Sequence, residues 1–361
     1  MTGRGVDQVM ANPCAPILHE DYVYSALDYV RLAEDAYGPI PRNVGPDYVW
    51  GAALEALDRA APDLRIVNLE TSITHASDYM PKGINYRMSP ENADCLTAAG
   101  IDCCVLANNH VLDWGREGLI DTLSVLDRLK IATTGAGADT SIAAAPATFD
   151  LGSKGRVLVF AYAAPTSGTP MNWRAGPKSP GINVLPDISE KSAVAVCRDI
   201  ARVRGNDDIV IVSLHWGPNW GYDIPDSQRR FARVLVDEGD VSVVHGHSSH
   251  HAKAIEVYRD RLILYGCGDF LNDYEGIRGY EAYRDDLAVM YIADVDPVSR
   301  NLAGLEMTPL LIRQFRLTHA PEADVAWLRE TLDRESQRFG AGVTMAANNR
   351  LDLIWRSEAA K

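Results

Sequence analysis

Val244-His245-Gly246-His247-Ser248-Ser249-His250-His251 places four of the chain's nine histidines within eight residues. The stretch before it, residues 238–244, reads as the end of a helix followed by a short apolar strand. A transition-metal site needs imidazoles delivered from the end of a buried strand, and Gly246 is the residue expected to let the backbone turn sharply there. The competing reading is a solvated histidine-rich loop. Three other segments weigh against it: Asn68-Leu69-Glu70, Asn108-Asn109-His110 and Leu214-His215-Trp216-Gly217 each set a potential ligand just beyond an apolar, strand-like run. Four strand ends carrying Glu, Asn and His toward one place are hard to explain by core packing.

The 361 residues suffice for one large α/β domain or two modest ones. Hydrophobic residues make up 47% and charged residues 23%, an ordinary globular composition. The formal charge of −14 argues against a broad nucleic-acid surface, which requires a basic face. No stretch approaches the roughly 20 apolar residues of a membrane span, and Met1 to Asp7 lacks the apolar core of a secretory signal. The six cysteines are scattered, several in apolar runs, without the paired spacing of a zinc ribbon. Buried, reduced thiols in a cytoplasmic protein are expected.

Helical stretches are expected over residues 21–36 and 48–60. Strands and helices then alternate: strand 64–69, helix 90–99 capped by Ser89, strand 102–107, helix 116–129, strand 156–163, helix 189–204, strand 208–214 and helix 225–238. From Ala254 the period moves toward two, predicting antiparallel strands over 254–258, 261–265, 287–293 and 305–315. A helix over 321–339 and a hairpin from Val343 close the chain. This order predicts layered sheets with helices outside. It also predicts one domain over residues 1–320 with a small extension over 321–361.

The ordered motifs Asn-Leu-Glu (68–70), Ala-Asn-Asn-His-x-x-Asp (107–113), His-Trp-Gly (215–217), Gly-His-x-x-His (246–250) and Gly-Asp-Phe (268–270) resemble the CapA family. That family carries the name of poly-γ-glutamate capsule synthesis and belongs to the calcineurin-like metallophosphoesterase superfamily. The resemblance runs from residue 1 to about residue 315 and implies a four-layer α/β/β/α sandwich with a two-metal site at the strand ends. It implies that Glu70 bridges the metals, that Asn109, His215 and His247 ligate the second and that His250 ligates the first. His110 corresponds to the histidine that does not ligate but protonates the leaving oxygen or steadies the transition state. Two divalent transition ions (Mn, Fe, Zn or Co) suit such a mixed N/O shell. The Gly-His-x-x-His motif has two residues between its histidines where the superfamily usually has one. Asp269 stands where many CapA relatives have Asn. Met1-Thr2-Gly3-Arg4-Gly5 looks like the tail of the family's opening motif, so a strand ending in an aspartate ligand is expected immediately upstream.

Lys82, Tyr86 and Arg87 are candidates for binding an anionic substrate group, with a solvated loop as the alternative. Arg4, Asp269 and Arg284 are further substrate-binding candidates. His245 and His251 flank the motif without matching positions and are expected to support ligand rings or face substrate. The functional expectation is a metal-dependent hydrolase in which a metal-bound hydroxide attacks a phosphoester or a γ-glutamyl amide. Its partner would be a small-molecule, peptide or polyanionic substrate. Two alternatives stay open: metal-assisted acid/base chemistry at a peptide α-carbon, as in epimerisation, and a metal-depleted binding or scaffold protein of polymer biosynthesis.

Overall fold

The computed structural model of the protein describes residues 1–357. Residues 358–361, the end of the expected carboxy-terminal extension, lie outside the described residues. A six-stranded sheet runs in the order Ile255–Tyr258, Arg261–Leu264, Val243–His247, Ile209–His215, Arg156–Ala163, Ala147–Asp150. Its four inner strands are parallel and its two edge strands antiparallel.

The strand Arg156–Ala163 shows how this sheet is covered. Alternate side chains of a strand leave opposite faces. Leu158, Phe160 and Tyr162 pack in the core formed with helices Glu190–Ala201 and Asp226–Gly239. Val157, Val159, Ala161 and Ala163 point the other way, into a core shared with two further sheets. Both faces are therefore buried, which explains why the strand reads as a continuous apolar run without polar alternation.

The second β layer comes in two parts. One is a parallel three-stranded sheet, Ile66–Asn68, Cys103–Val105 and Ala132–Thr134, with the middle segment central. The other is an antiparallel sheet of Leu287–Val295, Leu302–Arg313, Leu351–Trp355 and Ala341–Met345, with Arg316–His319 paired to the second of these. Outside the three-stranded part, helices Ala52–Ala60 and Gly115–Arg128 contribute Ala53, Ala56, Leu119 and Leu126 to the same core. Helices, sheet, sheets and helices thus stack as α/β/β/α.

Several expected elements are redrawn. The helix over 90–99 is a short 3₁₀ turn, Pro90–Asn92, followed by helix Asp94–Ala98. The strand over 305–315 is a hairpin beginning at Leu302 and turning at Gln314 and Phe315, both with positive φ, 56° and 55°. Helix Glu322–Gln337 and the hairpin behind it share one core with Leu305, Met307 and Ile255. At the other end, helix Gly5–Val9 is buried throughout, and the Met1 ammonium donates to the Leu271 carbonyl at 2.7 Å.

Candidate functional site

The parallel pairing of Ile209–His215 with Val243–His247 sets His215 beside His247 and Ser213 beside His245. Residues two apart share a face of a strand, so all four side chains emerge together at one end of the sheet. His215 Nδ1 lies 2.8 Å from His247 Nδ1. His215 Nε2 lies 3.1 Å from Asn109 Oδ1 and 3.7 Å from Glu70 Oε1. Glu70 sits just beyond strand Ile66–Asn68, and its Oε2 accepts from Asn68 Nδ2 at 2.9 Å. Asn108 ties the two loops together. Its amide nitrogen donates to Asn68 Oδ1 and the Leu69 carbonyl, while its oxygen accepts from the backbone of His110 and Val111.

Gly246 has a different task from the expected one. It lies inside the strand, and the sharp turn comes two residues later at Ser248, with φ 112°. A Cβ at Gly246 would stand 2.4 Å from the Leu264 carbonyl oxygen and 2.6 Å from that of Tyr265. The glycine is needed for close strand approach, not for bending.

Burial governs the strand-borne imidazoles. It pushes His215 down to about 3 and His245 to about 4, and holds His247 well below the usual histidine range. None of the three has a carboxylate in hydrogen-bond contact to offset the loss of water, so each is a neutral ring.

The loop-borne histidines differ. His110 Nδ1 is 2.7 Å from Asp113 Oδ2, and Lys82 forms an ion pair with Asp113 Oδ1 at 2.7 Å. The carboxylate can only accept and Lys82 can only donate, so the Nδ1 proton points to Asp113 and Nε2 is left for chemistry. Burial lowers the His110 pKa; Asp113 opposes this and Lys82 adds to it. The Lys82 ammonium, also bonded to the Asn109 carbonyl, lies 3.2 Å from the His110 ring nitrogen. His250 Nδ1 faces Asp269 Oδ2 at 3.0 Å and Oδ1 at 3.2 Å, and its Nε2 lies 3.4 Å from the Tyr274 hydroxyl. Burial alone would lower His250, but the Asp269 carboxylate raises it above the ordinary value. Tyr274 also accepts a 3.3 Å bond from Tyr86, whose ring meets His110 edge-on. Trp220 covers His250 and stacks on Tyr280 at 4.0 Å.

The structure therefore brings Glu70, Asn109, His215 and His247 into one cluster, with His110 one residue from Asn109. His250 is close enough for its charge to weigh on His215, and Glu70 in turn weighs on His250. The arginines are engaged elsewhere. Arg4 is buried, paired with Glu20 at 2.9 Å and Asp273 at 2.7 Å, and stacked on Tyr29 and Tyr86. Arg87 donates to the Ala76 and Ala15 carbonyls and stacks on Trp114. Arg284 is paired with Asp286 and Asp324. Lys82 is the cationic candidate that reaches a site histidine. Asp113, Ser213, Trp220 and Tyr274 carry parts of the geometry that sequence reasoning gave no role. Only Asp113 left a signal, as the last residue of the Asn-Asn-His-x-x-Asp motif.

Among the described residues, no three His, Cys, Asp or Glu side chains are arranged to hold an ion. His215 and His247 close on each other nitrogen to nitrogen. The donor chemistry nevertheless fits a divalent transition ion: a carboxylate, an amide oxygen and two imidazoles whose burial keeps them neutral.

Comparison with known proteins adds the following. The family model described as bacterial capsule synthesis protein PGA_cap matches residues 1–274. A protein of Mycobacterium tuberculosis described as a probable polyglutamine synthesis accessory protein is 43% identical over 356 residues, spanning 98% of this chain and 93% of that one. The PGA biosynthesis protein CapA of Bacillus subtilis is 28% identical over 277 residues, spanning 76% of this chain and 68% of its own. A solved structure described as a novel phosphatase of Mycoplasma pneumoniae shares 15% identity at a TM-score of 0.43, covering 73% of this chain and 90% of that one. Nothing about activity follows from so distant a likeness.

Proposed function

Because this chain belongs to the bacterial capsule synthesis protein family PGA_cap, we propose that its strand-end cluster is a metal-dependent hydrolytic centre acting on a phosphoester or a γ-glutamyl amide during polymer synthesis. The observation that carries this reading is the His110–Asp113–Lys82 group standing beside four neutral or anionic N/O donors. Glu70, Asn109, His215 and His247 would hold one divalent ion, with His250 at the other metal position and Glu70 shared between the two. Such an ion supplies Lewis-acid activation of water and polarisation of the phosphoryl or carbonyl oxygen.

The chain's own residues do the remaining work. Asp113 fixes the His110 tautomer through Nδ1, so a proton gained at Nε2 is aimed outward at a leaving oxygen. The lowered pKa of His110 makes that proton easy to give up. Lys82 sets positive charge next to it, in a chain of formal charge −14 that otherwise repels anions. Trp220 and Tyr280 form an aromatic wall at His250 that limits access of water.

Turnover of phosphodiesters, phosphomonoesters and γ-glutamyl amides with added manganese tests this reading. Hydrolysis of one class that is lost in His110→Ala is the expected result. No hydrolysis together with solvent deuterium entering a peptide α-carbon would replace it with epimerisation. A second reading, a non-catalytic accessory protein, is favoured by the similarity to the mycobacterial protein described as a probable polyglutamine synthesis accessory protein. Tight binding of a synthesis partner by protein that turns over none of these substrates would establish it.

A further inference from the structure

The histidines at the strand ends form one continuous hydrogen-bonded line. Ser213 Oγ lies 3.0 Å from His245 Nδ1 and 2.8 Å from His247 Nε2. His247 Nδ1 meets His215 Nδ1 at 2.8 Å, His215 Nε2 meets Asn109 Oδ1 at 3.1 Å, and Asn109 Nδ2 donates to the Ser167 carbonyl at 3.2 Å. The last contact sets the direction of all the others. A backbone carbonyl can only accept, so the Asn109 amide must turn its nitrogen to Ser167 and its oxygen to His215. The proton of neutral His215 then sits on Nε2, and its Nδ1 accepts. His247 must donate from Nδ1, its Nε2 accepts from the Ser213 hydroxyl, and Ser213 accepts from His245 Nδ1–H. Every donor on the line has one acceptor, and no ring needs a charge. Of the ring nitrogens in these contacts, His215 Nδ1 already presents a lone pair to the space between His215 and His247, whereas His247 Nδ1 fills that space with a proton.

We propose that Ser213 and His245 are positioning residues that let His247 exchange its tautomer when a cation arrives. This rests on the reading that His215 and His247 hold a divalent ion. The exchange balances without a change of charge. The His247 proton leaves Nδ1 for solvent water, the Ser213 proton passes to His247 Nε2, the His245 Nδ1 proton passes to Ser213, and partly exposed His245 takes up one proton from water on Nε2. The His247 ring keeps its bond to Ser213 throughout, because a hydroxyl can donate or accept with equal ease. His215 and Asn109 keep the arrangement they have. No carboxylate could replace Ser213, since it would accept in both states and fix His247 as the Nε2–H form.

The two states are read directly by ring-nitrogen NMR of the whole chain with ¹⁵N-labelled histidine. In metal-free protein, protons are expected on His245 Nδ1, His247 Nδ1 and His215 Nε2. Zinc, as the probe ion, is expected to move those of His247 and His245 to Nε2 and to leave His215 unchanged. Ser213→Ala is expected to weaken zinc binding by about 10–100-fold, the usual effect of losing a group that orients a metal-binding ring, and to uncouple His245 from the response. Ser213→Thr, which keeps the hydroxyl, is expected to restore both. An opposite proton placement in the metal-free spectrum overturns the directed line. A zinc-induced shift at His247 without one at His245 overturns the coupling. If zinc moves no ring nitrogen while the metal-free placement is as derived, the metal reading fails and the exchange fails with it, leaving the static line intact.

Discussion

Two kinds of buried histidine meet in this site. His215 and His247 come from the ends of paired parallel strands and touch other imidazoles, an amide and a hydroxyl. His110 and His250 come from loops, and each holds a carboxylate at Nδ1, Asp113 and Asp269. All four are buried. What separates them is the partner, because burial disfavours an imidazolium everywhere and only a nearby anion restores it. The strand-borne pair is therefore built to offer lone pairs, and the loop-borne pair to carry or orient a proton. The strand-borne pair has no charged partner in hydrogen-bond contact, whereas the loops bring a carboxylate to each histidine and, at buried Asp113, the Lys82 ammonium that offsets it.

The contrast breaks most visibly under truncation. His247→Ala is expected to abolish turnover and metal binding together, since it removes a donor from the cluster. His110→Ala is expected to lower turnover by about 10²–10⁴-fold while metal content is unchanged, the range of a positioned acid or base. Steady-state kinetics beside metal analysis of both variants separates the two classes. If both lose metal equally, His110 belongs with the strand-borne pair.

Arg4 tests whether a buried cation near the site acts on substrate or on the fold. Arg4→Met leaves the buried carboxylates of Glu20 and Asp273 without their cation. Breaking such a pair costs about 3–5 kcal/mol, which urea denaturation would register. A variant of unchanged stability with a raised KM would return Arg4 to the substrate.

Gly246→Ala attacks the strand-borne side alone. A Cβ 2.4 Å and 2.6 Å from two carbonyl oxygens forces the strands apart. The expected loss is about 1–3 kcal/mol, as for overpacked cores, with weaker metal binding because the change lies between His245 and His247. Full stability would show that the strands part without cost.

The smallest effect concerns the loop-borne side and is one of pH. In metal-free protein, wild-type His250 is expected to titrate above about 6.5, and in Asp269→Asn lower, where Glu70 is the remaining carboxylate that opposes burial. The sign follows from the raised pKa. The stability supplied by the pair is complete below the unfolded histidine pKa and is lost as pH rises through the folded one; at the acid end it fades as Asp269, itself held low by His250, takes up a proton. NMR titration of His250 in the two proteins checks this, and identical curves would remove Asp269 from the account.

Much of this was legible beforehand because the parallel strands are buried on both faces. Continuous apolar runs such as Arg156–Ala163 and Ile209–His215 announce themselves, and the histidine that ends the second of them belongs to the site. The cluster of Glu70, Asn109, His215 and His247 could be read in this way. Ser213 could not. It is one serine within a strand, and its meaning comes from a register that sets it opposite a residue 32 positions later. Gly246 was read as a turn because glycine signals flexibility more often than close approach, and the carbonyls that need its missing side chain belong to Leu264 and Tyr265 on a neighbouring stretch. Arg4 reads as a substrate-binding candidate because its partners, Glu20 and Asp273, lie 16 and 269 residues away.

Whether the strand-borne cluster holds divalent metal is tested most directly by elemental analysis of the protein purified without chelators. About two transition-metal ions per chain are expected, lost in Glu70→Ala and in His247→Ala and retained in His110→Ala. Protein that carries no transition metal, and takes up none from added manganese or zinc, would contradict a metal site there.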